Sequence, residues 1–207
     1  MARGKAVAKH SSSGGAGGDG PSAKEIAERL AHGEELLDAG NAQAALACFE
    51  EALVAQPASQ SAWYLRGVAA AELWEGTPAT PEIRTSLLQT ACESFARVLA
   101  LDTSMRSENR YLASLACAQL LTKAAAAFEE EDDENGNAGG PRAAEALAEA
   151  QRGFKEAQRL HISWGHAALH GEALASWGGA LSHQMRLEIA RFDCASTTAM
   201  ASVDAVA

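Results

Sequence analysis

A spacing of thirty-four residues constrains this chain more than any other feature. Gly33 is followed twelve residues later by Ala45 and then by Phe49, Ala52 and Pro57, and Gly67 arrives thirty-four residues after Gly33 with Trp63 four residues ahead of it. Each residue type has a mechanical reason. Gly33 and Ala45 lack bulk, so two antiparallel helices approach closely where these residues face each other. Phe49 and Ala52 are three apart on one helical face and fill, then relieve, the same seam. Pro57 stops the second helix. Gly40 and Asn41 supply the turn between the two helices. All of these residues specify how helices meet, and none carries chemistry.

The seam recurs. Ala45–Phe49–Ala52 reappears as Ala91–Phe95–Val98 and as Ala150–Phe154–Ala157, with Thr103 and Ile162 standing where the first copy has Pro57 and Ala113 where it has Gly33. Helices are predicted over about 23–39, 42–55 and 60–74. A second-unit insertion of about twelve residues is expected around 75–81, where Gly76, Pro78 and Pro81 interrupt the pattern. The third unit opens over about 107–128. Its larger insertion, 129–140, holds Glu129, Glu130, Glu131, Asp132, Asp133 and Glu134 and is expected to be a mobile acidic loop. Ala173, Leu174, Trp177, Gly178 and Leu181 then look like a first helix without a second, so 172–192 is expected to cover the last unit. The domain organisation is thus a tail over 1–23, a helical repeat domain over 24–192 and a tail over 193–207.

The period, the small–small–aromatic–small–proline order and Trp63 together resemble the tetratricopeptide repeat family. That resemblance implies an all-α, right-handed superhelix of about three and a half stacked helix–turn–helix units. It also implies a concave groove lined by first helices: Leu30, Glu34 and Leu37, then Tyr64, Val68 and Ala71, then Arg110, Ser114 and Cys117. The implied function is non-catalytic protein binding, as an adaptor, scaffold or assembly factor that holds a partner peptide or helix in the groove. Family members that grip the C-terminal carboxylate of heat-shock chaperones use Lys and Asn side chains in the first two units. Here those positions hold Leu30, Glu34 and Leu65, which cannot clamp a carboxylate, and Arg110 alone does not replace them, so that peptide is not an expected partner. Leu174 to Leu181, with Trp177–Gly178–Gly179, is similar to first helices in plant and algal tetratricopeptide proteins, among them a receptor for mitochondrial protein import. A role in organellar import or assembly is therefore an alternative.

Composition narrows the function classes. A formal charge of −10 argues against general binding to nucleic acid or an anionic membrane. Alanine abundance with only 5% aromatic residues suits closely packed helices, and no membrane span is expected. Cys48, Cys92, Cys117 and Cys194 are scattered, without a Cys-x-x-Cys pair, and read as reduced thiols of a cytoplasmic protein. A nucleus is the alternative compartment, or an organelle if the N-terminus is a transit peptide. That segment carries Arg3, Lys5 and Lys9, then a Ser/Gly/Ala run, and has no acidic residue before Asp19; a disordered tail is the other reading.

Catalytic and cofactor chemistry finds no motif. His166 and His170 share a helical face, but neither His161 nor His183 gives a third ligand at metal-binding spacing. No phosphate-binding loop and no Gly-x-Ser-x-Gly nucleophile turn is present. The expected protein is non-enzymatic, with no metal and no cofactor. The acidic run offers one further alternative, a chaperone for a basic client such as a ribosomal protein or a histone, held by long-range attraction.

Overall fold

The computed structural model describes residues 21–76, 80–104, 107–134, 141–164, 171 and 173–189. Seven helices carry them: α1 (Ala23–Asp38), α2 (Ala42–Ala55), α3 (Gln60–Gly76), α4 (Pro81–Leu101), α5 (Glu108–Glu134), α6 (Pro141–Trp164) and α7, residues 173–189. No strand occurs among the described residues. The expected fold class, all-α and built of helix–turn–helix repeats, is what these residues form. The chain divides into two compact units, 1–113 and 114–207.

In the first unit the local signals act where the spacing places them. Ser22 caps α1 and Glu25 caps Ser22 in return: the Glu25 N–H donates to Ser22 Oγ at 3.3 Å and the Ser22 N–H to Glu25 Oε2 at 2.6 Å. Gly40, at φ +77°, ends α1 in the left-handed region that an L side chain resists. Its N–H and that of Asn41 donate to the Leu37 and Leu36 carbonyls. Asn41 then accepts from the Ala44 N–H to start α2. Past Ala55 the chain turns at Pro57, whose carbonyl accepts from Trp63 Nε1 at 2.8 Å, so the motif tryptophan staples the turn it follows.

The seams are as tight as the small residues predict. A Cβ on Gly33 would overlap the Phe49 ring, and one on Gly67 would lie 2.7 Å from the Phe95 ring. Ala45, Phe49 and Ala52 are fully buried, as are Ala91 and Val98, with Phe95 at 1% exposure. α1 packs on α2, α2 on α3 and α3 on α4, while α1 also touches α3. Two pairs therefore stack with first helix beside first helix.

The two segments expected as insertions behave differently. The interruption expected around 75–81 falls between α3, which ends at Gly76, and α4, which starts at Pro81, a favourable first-turn residue, ten positions before the seam alanine. The added turns have a partner, since the Arg84 guanidinium lies 5.1 Å from the centre of the buried Trp74 ring. The acidic run, expected as a mobile loop, is not one over 129–134, because α5 continues through it to Glu134. Ala124 and Ala125 extend the helix's buried face, and Ala143, Ala146 and Leu147 are buried on α6. Alanine and glutamate are also strong helix formers, so packing and propensity agree. Asn135 to Gly140, the rest of that expected loop, lies outside the described residues.

In the second unit α6 repeats its buried side chains at helical spacing: Ala143, Ala146, Leu147, Ala150, Phe154, Ala157 and Leu160. Gly153 brings α5 and α6 close, for a Cβ there would sit 3.0 Å from Ala118 Cβ and 3.1 Å from the Ser114 carbonyl. α7 packs on both. Its Trp177 stacks on Phe154 with ring centres 6.4 Å apart, and Ser176 accepts from Gln119 Nε2 at 3.0 Å. Among the described residues, α5 is long and apolar enough over 108–131 to cross a bilayer by length and composition. This corrects the expectation that no segment qualifies. Its alanine and leucine residues raise the apolar content, and just over half of that window is buried inside the protein, as in a core helix.

Candidate functional site

The expected groove residues divide into surface and core. Glu34 on α1 and Val68 on α3 occupy the same repeat position, one residue after the seam glycine, and reach the surface, Glu34 exposed and Val68 half-buried. Glu34 is exposed by area, but the protein packed around it partly desolvates its carboxyl, and Asp38 adds repulsion. Its pKa is raised for those two reasons, in that order. Ala71 is half-buried one turn beyond Val68.

Leu37 and Ser114 do not line a surface, which corrects two of the expected positions. Leu37 is 4% exposed on α1, and Ser114 is 1% exposed where α6 crosses α5 at Gly153. Leu30 is half-buried and packs against Ile26, Ala52, Leu53 and Ala62, so much of its surface is structural. Arg110 and Cys117 are half-buried on α5. Cys48 and Cys92 are half-buried thiols on α2 and α4.

Tyr64 is half-buried on α3, with a polar end. Its ring lies tilted against Phe95, centres 6.1 Å apart. Burial, and secondarily the charge of Glu108, pushes its phenol up to about 12. The fold therefore holds the protonated form more tightly than the unfolded chain does. That stabilisation is intact below about pH 10, the unfolded value, and drains away as pH rises towards about 12. Denaturant titrations by circular dichroism at about pH 9 and about pH 12 should show the native protein losing roughly 2–3 kcal/mol more than Tyr64→Phe. Equal losses in the two proteins would mean that the phenol is not buried as described.

Of the acidic run, two members are engaged within the second unit. Glu129 pairs with His183, which is 5% exposed. Glu131 pairs with Arg142 at 3.5 Å, and that guanidinium lies 4.1 Å from the centre of the Phe128 ring. Glu130 is exposed. The side chains of Asp132, Asp133 and Glu134 lie outside the described residues, as do those of His161, His166 and His170. Among the described residues no three His, Cys, Asp or Glu side chains come together as a metal-binding group.

Sequence reasoning missed Arg66. From α3 its guanidinium donates to Glu50 Oε1 on α2 at 3.1 and 3.2 Å and to Ser94 Oγ on α4 at 2.8 Å, while lying 5.6 Å from the Trp63 ring centre. Ser94 is fully buried, and its hydroxyl donates a hydrogen bond to the Thr90 carbonyl. One cation thus ties three helices. The available signal was Ser94, a polar residue immediately before the seam Phe95, which needs a partner once buried.

No protein-family model matches the chain, and no curated protein matches it. A solved structure described as the crystal structure of MamA is similar over 78% of this chain and 79% of that chain, with 18% sequence identity and a TM-score of 0.34. At that distance the site is read from this chain's own residues.

Proposed function

We propose that this protein is a non-catalytic, tetratricopeptide-type binding module that holds a peptide or helix of another protein on the first-helix surface of its N-terminal unit. The observation that carries the reading is the pairing of α1 and α3, which touch and bring equivalent positions to the surface: Glu34 on one helix, Val68 and Ala71 on the next. A mixed, mildly apolar strip of this kind suits an extended or helical segment. The residues at the repeat positions are spent on packing, which supports a role in presenting a surface.

A chaperone for a basic client draws less support, because Glu129 and Glu131 already have basic partners within the protein. The compartment we propose is the cytoplasm.

The test uses positions that the core does not need. Glu34→Lys with Val68→Lys should keep the helicity and melting profile of the parent, yet abolish affinity capture of the protein's partner from native lysate. Capture that survives moderate salt in the parent and fails in the double variant supports the surface. Capture retained by the folded variant would refute it, and capture lost with salt in both proteins would favour a charge-based client instead.

A further inference from the structure

Helix α7 repeats the register of α3. Ala173 and Ala180 stand where α3 has Ala62 and Ala69, and Gly178 stands where α3 has Gly67. All four alanines are buried, so the two helices use the same face inwards. The opposite face differs. In α3 it is closed by α4, with Phe95 on Gly67. In α7 nothing among the described residues lies within 4 Å of a Cβ built on Gly178 or Gly179, and Leu174, Leu181, Met185 and Ile189 are 44%, 47%, 61% and 55% exposed. A helix that is apolar on both faces has a missing neighbour.

We propose that the neighbour is the α7 helix of a second copy of this chain, packed antiparallel about a two-fold axis. The stripe is its own complement when reversed. With the axis between Leu181 and Ser182, Leu174 meets Ile189, Gly178 meets Met185 and Leu181 lies beside its own copy. An isologous contact requires such self-complementarity, and a contact with an unrelated protein does not. The flexible Met185 thioether then covers Gly178 as the Phe95 ring covers Gly67. Arg186 and Glu188, the two Asp/Glu/Lys/Arg residues of 173–189, flank the stripe on opposite sides, so closure buries neither charge.

The stripe is short, four large side chains and a glycine step, well below the roughly 800 Å² per partner of a standard stable interface. The dimer is therefore weak and concentration-dependent. Each copy carries a formal charge of −10, so salt screens repulsion between copies and tightens an apolar contact. This surface belongs to the second unit and the α1–α3 strip to the first, and the proposal stands or falls independently of the binding function above.

Sedimentation equilibrium of the full chain, from low micromolar to near-millimolar concentration and at low and high salt, tests it. The expected result is a monomer–dimer equilibrium that strengthens with salt and loses at least tenfold in affinity in Leu181→Glu and in Met185→Glu, with helicity unchanged by circular dichroism. Leu181→Cys should form an inter-chain disulfide on mild oxidation, whereas Ile83→Cys, an exposed position on α4, should not. A protein that stays monomeric throughout would overturn the proposal, as residues beyond 189 folding over the stripe would also produce. So would a dimer that salt disperses, one that Leu181→Glu leaves intact, or equal cross-linking at the two cysteine positions.

Discussion

Phe95→Ala is expected to destabilise the protein by about 3–5 kcal/mol, the cost of emptying a buried aromatic site that its surroundings cannot refill. Phe95 is 1% exposed and lies between two rigid neighbours: Gly67, where a Cβ would be 2.7 Å from its ring, and Tyr64, tilted against it. The converse substitution, Gly67→Val, gains helix propensity of up to about 1 kcal/mol but drives two methyl groups into that ring. Overpacking there should cost about 3 kcal/mol, so the clash wins. Combining the two changes decides whether the seam is one unit. Valine in place of glycine partly fills the cavity left by the missing ring, so the double variant should be less destabilised than the two singles together by about 1–3 kcal/mol. Urea denaturation followed by circular dichroism measures all three variants. Strict additivity would show that Gly67 and Phe95 do not meet.

That coupling is also why so much of this fold was legible in the sequence. Gly33 meets Phe49, with Ala45 and Ala52 fully buried, because their spacing puts them on the facing sides of the two helices, and Gly40 and Asn41 occupy the turn their conformational preferences suit. The inserted segments were less legible. Gly76, Pro78 and Pro81 mark the break between α3 and α4, but composition does not say that Pro81 already opens the first turn of α4 or that Arg84 then lies against the buried Trp74. A run of six acids reads as solvated, but a helix already formed by Ala124 to Ala127 carries it on, helped by Arg142 and His183 at positions no local pattern reveals.

The candidate surface was legible only in part, for a geometric reason. The repeat pattern states which helix faces inwards at its glycine, but not how far each neighbour covers the remaining faces. Glu34 and Val68 stay at the surface, while Leu37 and Ser114, assigned to the same face by spacing, are buried, Ser114 where α6 approaches α5. Arg66 is a different case: nothing in the repeat spacing singles it out, yet it becomes a tie among three helices because Ser94 is buried opposite it.

Phe154→Ala should have a comparable effect in the second unit, about 3–5 kcal/mol. Phe154 is 2% exposed, holds the seam position of α6 and is the ring on which Trp177 stacks, so its loss leaves a cavity and removes a footing of α7 together. Phe154→Leu keeps most of the volume and should cost distinctly less, near 1–2 kcal/mol. Hydrogen exchange separates the two consequences. If the ring anchors α7, amides of 173–189 should lose protection in Phe154→Ala to a greater extent than those of α6, because α6 keeps Leu147, Ala150 and Leu160 in the core while α7 keeps only Ala173, Ala180, His183 and Leu187. Protection lost in α6 with α7 unchanged would mean that α7 is held by its polar contacts to α5, Gln119 with Ser176 and Glu129 with His183, and that the stacked rings contribute little.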